Sequence, residues 1–256
     1  MGRIRRGHRT DRALAAATLC LLLTAGSAAA QTDRGATLYA EHCVFCHGER
    51  GQGRSGAGTP LGAGGTQGGG PPLKGAGEQA ADFYLSTGYM PLDDPHEQPK
   101  RRPSPFSPRD RQALVRYVAS LSGPGPAIPT VDLRDGDLAL GQKLFTSHCA
   151  GCHQVLGKGG YTAGALAPEL AHATPVQVAE AIRIGPYLMP RFDARDLDDH
   201  EVASIARYME YAKQPRDDGG WAIGHIGPVP EGFVAWLLAA VGLVGVARII
   251  GTRLER

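Results

Sequence analysis

One thirteen-residue pattern occurs twice in this chain, and it constrains the fold more than any other feature. Gly35-x-x-Leu38-Tyr39-x-x-His42-Cys43-x-x-Cys46-His47 returns as Gly141-x-x-Leu144-Phe145-x-x-His148-Cys149-x-x-Cys152-His153, displaced by 106 residues. The likeness extends downstream. Gly51 and Gly53 follow His47 as Gly157 and Gly159 follow His153, and Pro72-Leu73 answers to Pro168-Glu169-Leu170. Gly88-Tyr89-Met90-Pro91 answers to Gly185 through Met189-Pro190, and Arg116-Tyr117 to Arg207-Tyr208. Two copies of roughly 80 residues indicate tandem domains; a solenoid needs several shorter repeats.

Cys-x-x-Cys-His is the attachment sequence of c-type haem. Two thiols on one turn each form a thioether with a vinyl group at one porphyrin edge, and the adjacent imidazole reaches the iron as proximal ligand. Cys43, Cys46 and His47 therefore define a first haem site, and Cys149, Cys152 and His153 a second. The fifth cysteine, Cys20, lies in the N-terminal apolar segment, so none remains for another role. A zinc ribbon wants its cysteine pairs roughly 15–20 residues apart, whereas Cys46 and Cys149 are separated by 103. A thioredoxin-like motif expects a βαβ pattern that the sequence lacks, and a structural disulfide gives no reason for the histidine.

The sixth iron ligand has to come from elsewhere, and methionine is the choice that suits electron transfer. Met90 and Met189 each precede proline at matching places in the two copies. Proline fixes its own backbone and helps a loop hold the thioether in place. Met90 is assigned to the first haem and Met189 to the second. Met209 falls in a helical run and reads as a core methionine. His42, His96, His148, His172, His200 and His225 read as surface or loop histidines.

Glycine and proline together make up 55 of 256 residues, which limits regular structure to short helices joined by long loops. Residues 35–42 and 141–148 read as short amphipathic helices leading into the haem sites. Ser107-Pro108 opens a helix to about Ser120, with Leu114, Val118 and Leu121 on one face. Thr174-Pro175-Val176-Gln177 is a capping box with proline at the first helical position, and Gly185 closes that helix. Asp198-x-x-Glu201 starts another, carrying Val202, Ile205 and Met209. Tyr39 and Phe145 are expected to pack near Tyr117 and Tyr208. Such small domains bury little core of their own, so the porphyrin supplies much of the apolar interior. Residues 54–70 read as a glycine-rich loop. Lys100-Arg101-Arg102, in a Pro-rich loop, reads as a solvated charge run, with contact to haem propionates or to an acidic partner as the alternative.

The two ends carry sorting signals. Arg3, Arg5, Arg6, Arg9 and Arg12 precede an apolar stretch from Ala13 to Leu23, and Ala28-Ala29-Ala30 offers a cleavage site. Near the other end, the apolar run from Phe233 to Ile250 reaches the lower bound for a bilayer span. Trp236 marks one interface, and Arg248, Arg253 and Arg256 place the C-terminus in the cytoplasm. The chain carries 27 Lys+Arg against 25 Asp+Glu. Without residues 1–30 and 248–256 the balance is 19 basic to 23 acidic, a net charge of −4. A nucleic-acid binder would show a basic excess instead.

These features predict a mainly α fold, with two tandem haem domains and a C-terminal transmembrane helix; the two copies resemble class I cytochrome c domains. The expected division is a signal peptide or anchor over 1–30, domain 1 over 31–122, a Pro/Gly-rich linker over 123–136 and domain 2 over 137–213. A juxtamembrane segment over 214–230, a membrane helix over 231–250 and a tail over 251–256 follow.

The layout resembles the dihaem cytochrome c subunits of actinobacterial-type cytochrome bc1 (bcc) complexes. The likeness rests on Pro71-Pro72-Leu73-Lys74-Gly75-Ala76-Gly77, Ser86-Thr87-Gly88-Tyr89-Met90-Pro91, Gly159-Gly160 and Ala167-Pro168-Glu169-Leu170. It rests further on Gly185-Pro186 before Met189-Pro190, and on Gly219-Gly220-Trp221 through Gly227-Pro228-Val229-Pro230-Glu231-Gly232, a stretch without an equivalent in generic cytochromes. The resemblance implies two covalently attached c-type haems and a cell-membrane location with both haem domains outside the cytoplasm. It implies a cytochrome b subunit and a Rieske iron–sulfur subunit as partners, with an aa3-type cytochrome c oxidase as electron acceptor. The chain would then be the electron-transfer subunit of a quinol–cytochrome c reductase, without substrate chemistry of its own. By the same analogy the N-terminal haem is the acceptor and the C-terminal haem the donor.

Two rivals remain. The dihaem subunit of a cbb3-type oxidase carries its anchor before the haem domains, whereas the apolar run here follows them. A dihaem peroxidase needs an open iron position, which Met90 and Met189 would close.

Overall fold

The computed structural model describes residues 34–54, 69–92, 98–215 and 228–254. The expected signal segment over 1–30, most of the glycine-rich loop, His96, His225, and Trp221 with the rest of 216–227 lie outside the described residues.

The first repeat is built from four helices: α1 (residues 34–42), α2 (Val44–His47), α3 (Gly77–Ser86) and α4 (Pro108–Ser122). Local chemistry sets the limits of α4. Ser107 accepts a hydrogen bond from the Asp110 amide, Pro108 occupies the first helical position, and Gly123 ends the helix at φ +69°. Its apolar face carries Leu114, Val115 and Val118 into a core with Leu38, Tyr39, Ala81, Leu85 and Phe106. The helix α3 was not anticipated. Its N-cap is Ala76, which offers no capping side chain, so the kind of start signal that marks α4 is missing.

The second repeat contains α5 (Leu138–His148), α6 (Ala150–His153), α7 (Pro175–Ile184) and α8 (Asp199–Lys213). Thr174 and Gln177 form the expected capping box, and Gly185 adopts the left-handed conformation at the far end of α7. Asp198 and Glu201 bond reciprocally to each other's amides, at 2.8 and 2.9 Å, to open α8. An unanticipated hairpin, β1 (Gly160–Thr162) with β2 (Ala165–Ala167), pairs antiparallel with Gly160 opposite Ala167.

Both repeats close by the same helix crossing. A Cβ on Gly35 would strike the Ala113 carbonyl and come within 2.8 Å of Tyr117 Cβ; one on Gly141 would strike the Ser204 carbonyl and approach Tyr208 Cβ to 3.0 Å. Only glycine lets the helix backbones approach this closely. Beside each crossing an aromatic pair fills the core as expected. Tyr39 and Tyr117 have ring centroids 5.4 Å apart, and Phe145 and Tyr208 have theirs 5.6 Å apart. The hydroxyls are used differently: Tyr39 of α1 donates to the Gly48 carbonyl, whereas in the second repeat Tyr208 of α8 donates to Val155. Met209 is buried in the core, as expected.

The C-terminal unit, residues 211–256, carries the long helix α9 (Pro228–Leu254). Within it, an 18-residue stretch of mean hydropathy 2.3, with no buried residue, lies inside the 22 residues Gly232–Arg253. At about 1.5 Å per residue, this length exceeds the roughly 30 Å hydrocarbon core of a bilayer. The helix extends the apolar run of the sequence at both ends; a proline is tolerated in its first turn because the amide there lacks an intrahelical acceptor.

Candidate functional site

Each Cys-x-x-Cys-His sequence is wound into one tight turn. The amides of Cys46 and His47 both donate to the Cys43 carbonyl, and those of Cys152 and His153 both donate to Cys149. Residues one, four and five of the motif are thereby held together. The following loops repeat the same bonds: Gly53 donates to His47 and Leu73 to Gly51, as Gly159 donates to His153 and Leu170 to Gly157. This ladder makes Pro71, not Pro72, the counterpart of Pro168.

Those prolines accept a bond from the histidines. His47 Nδ1 lies 2.9 Å from the Pro71 carbonyl oxygen, and His153 Nδ1 lies 3.1 Å from that of Pro168. A carbonyl only accepts, so each Nδ1 carries the proton and Nε2 keeps its lone pair, as a metal-binding imidazole requires. Burial pushes both histidines below their ordinary pKa, against the opposing effect of these bonds, favouring the neutral form that ligates metals. Burial also pushes the Cys43 and Cys149 thiols up to about 11, with a smaller contribution from Cys46 and Cys152.

In the second repeat a single cavity is lined by Cys149, Cys152, His153 and Met189. The four sequence-predicted residues are therefore brought together. In the first repeat Cys43 and Met90 pack against the same core cluster, and Gly70 sits so close to His47 that a Cβ there would come within 3.0 Å of its ring. Loop bonds hold both methionines: the Met90 amide donates to Tyr84, and that of Met189 to Pro186. Among the described residues no group of three or more His, Cys, Asp or Glu side chains is placed to hold a bare metal ion.

The residues fit a c-type haem. The second cavity is walled largely by apolar side chains, including Phe145, Val178, Ile182 and Ile205. Tyr187, which also lines it, has a buried hydroxyl without a partner among the described residues. Such an orphan is costly unless a bound group satisfies it.

Part of this cavity's wall carries no signal in the sequence. Phe83, Tyr84, Tyr89, Gln98 and Arg101 come from the first repeat. The charge run at 100–102 is also not merely solvated. Arg101 and Arg102 are half-buried, Arg101 bonds to His172 and Gln177, and Arg102 bonds to the carbonyls of Gly88 and Pro91. The run sits in a proline-rich loop, and only the fold brings acceptors to it. His42, His148, His172 and His200 are exposed, as expected.

Comparison with known proteins agrees with this geometry. The family model described as cytochrome c matches residues 32–122, and that described as cytochrome c oxidase, cbb3-type, subunit III matches residues 136–209. The cytochrome bc1 complex cytochrome c subunit of Mycobacterium tuberculosis is 35% identical over 235 residues, covering 89% of this chain and 80% of that protein. The chain belongs to the family of cytochrome bc1 complex cytochrome c subunits. The corresponding subunit of Corynebacterium diphtheriae is 34% identical over 239 residues, covering 86% of this chain and 80% of that protein. Among solved structures, the reducing HAO-like protein complex of Kuenenia stuttgartiensis matches at 20% identity with a TM-score of 0.34, covering 71% of this chain and 96% of that one. As a bc1 subunit with two cytochrome c domains, the chain is an electron carrier of the haem type and is associated with the membrane.

Proposed function

We propose that this subunit takes electrons from the Rieske iron–sulfur subunit and passes them along its own length to an aa3-type oxidase. It would thereby replace both a single-haem bc1 subunit and a mobile cytochrome c. Each haem, when bound, supplies a one-electron iron couple. Cys43 and Cys46 would tether the first haem and Cys149 and Cys152 the second, each pair through two thioethers. His47 with Met90 would ligate the first haem's iron, and His153 with Met189 that of the second. The N-terminal haem acts as acceptor and the C-terminal haem as donor, with α9 spanning the membrane and both haem domains outside the cytoplasm.

The observation that carries this reading is a shared wall. Tyr89, the residue next to Met90, lines the cavity that contains His153 and Met189. Two redox sites separated by so little protein favour transfer within one chain over release of a soluble carrier. The match of residues 136–209 to a cbb3-type subunit supports a second reading, an electron-transfer subunit of a different oxidase. Mild-detergent purification of the tagged chain separates the two. Cytochrome b, Rieske and aa3-type subunits are expected with it, whereas cbb3-type catalytic subunits without cytochrome b would overturn the leading reading.

A further inference from the structure

The cavity of the second repeat is not closed by that repeat alone. Gln98, from the loop before α4, makes a strand-like pair of bonds with Leu166 of β2: its Nε2 donates to the carbonyl at 2.8 Å and its Oε1 accepts from the amide at 2.9 Å. Arg101 Nη2 donates to the His172 carbonyl at 2.8 Å and to Gln177 Oε1 at 2.6 Å. Gln177 Nε2 in turn donates to Ser86 Oγ of the first repeat at 2.8 Å. Three side chains thus latch the loop at 98–101 and the end of α3 onto the second repeat.

Arg101 is also the one arginine or lysine among the described residues lining the cavity. Two neutral acceptors hold its Nη2, while Nε and Nη1 have no hydrogen-bond partner among the described residues. Burial lowers its pKa, partly offset by Tyr89, and a guanidinium remains charged in such a place. A haem brings two carboxylates that its thioether bonds leave unpaired. A carboxylate against apolar walls is costly unless a cation or several donors meet it. A guanidinium anchored through Nη2 keeps Nε–H and Nη1–H as donors, each able to make a charge-assisted hydrogen bond to a carboxylate oxygen.

We propose that Arg101 of the first repeat is the cationic partner of a carboxylate of the second repeat's haem, so that the second haem site is complete only when the two repeats are docked. The proposal rests on the haem reading above. Its electrical consequence has a definite sign. The ferric state carries one more positive charge than the ferrous, so a nearby cation favours reduction, and removing it lowers the potential of that haem.

The test is a potentiometric titration of the full-length chain in detergent, for the wild type, Arg101→Gln, Arg101→Lys and Gln98→Ala, with haem content fixed beforehand by pyridine haemochrome. One of the two redox waves should move down in Arg101→Gln, return most of the way in Arg101→Lys and stay in place in Gln98→Ala, with the other wave unmoved throughout. If Arg101→Gln fails to retain its second haem while Arg101→Lys retains it, the charge is likewise shown to matter. Unmoved waves in Arg101→Gln, equal shifts of both, or the same shift in Gln98→Ala with Arg101 intact would overturn the proposal. So would loss of the second haem from both Arg101 variants. A wild-type chain without two haems would instead remove the reading on which it rests.

Discussion

His153 Nδ1 donates to the Pro168 carbonyl oxygen across 3.1 Å. That bond fixes the imidazole tautomer and turns Nε2 toward a ligand. Met189 lines the same cavity, held by the bond from its own amide to Pro186. Met189→Ala should therefore remove the methionine–iron charge-transfer absorption of one haem and leave the other, about halving the band. An unchanged band in the oxidised spectrum would show that Met189 is not the ligand.

The two glycine crossings give a stability prediction. A Cβ on Gly35 or Gly141 meets backbone carbonyls on the facing helix, not a flexible side-chain end. Relief requires the helices to part, and overpacking of this kind costs about 1–3 kcal/mol. Gly35→Ala and Gly141→Ala should each lower the thermal midpoint of the holoprotein. A midpoint equal to wild type in both would contradict the crossing.

Glu180 introduces a pH dependence. Its carboxylate is fully buried on α7, with neither oxygen bonded among the described residues. Burial, with the charge of Asp82 beside it, raises its pKa from 4.5 to about 8. The folded protein keeps a proton there that the unfolded chain releases. Stability from this group is therefore intact below about 4.5 and is lost as pH rises toward 8. Glu180→Gln should flatten that slope and stabilise the protein at alkaline pH, by on the order of a few kcal/mol. Denaturant midpoints at pH 5 and pH 9, compared between the two proteins, check this; parallel slopes would contradict it.

Features that depend on local chemistry were legible in the sequence. The Cys-x-x-Cys-His turns, the caps at Ser107, Thr174 and Asp198, and the glycine that closes α7 all depend on neighbours within a few residues. The aromatic pairing of Phe145 with Tyr208 was legible because the repeat supplied a second copy of the same relation. What escaped depends on distant partners. α3 begins without a capping side chain, and its place follows from packing. The role of Arg101 requires knowing that His172 and Gln177, more than seventy residues away in the chain, lie beside it. Buried Glu180 reads in sequence as an ordinary charge on a helix.

The central claim is that one chain carries electrons through two haem sites without a soluble shuttle. Quinol-driven oxygen uptake by the purified complex, with no added cytochrome c, tests it most directly. The wild type should consume oxygen unaided. A Cys149→Ser/Cys152→Ser variant should still let quinol reduce the first haem but should consume no oxygen. Uptake that appears only after soluble cytochrome c is added to the wild type, or that survives in the variant, would contradict the account.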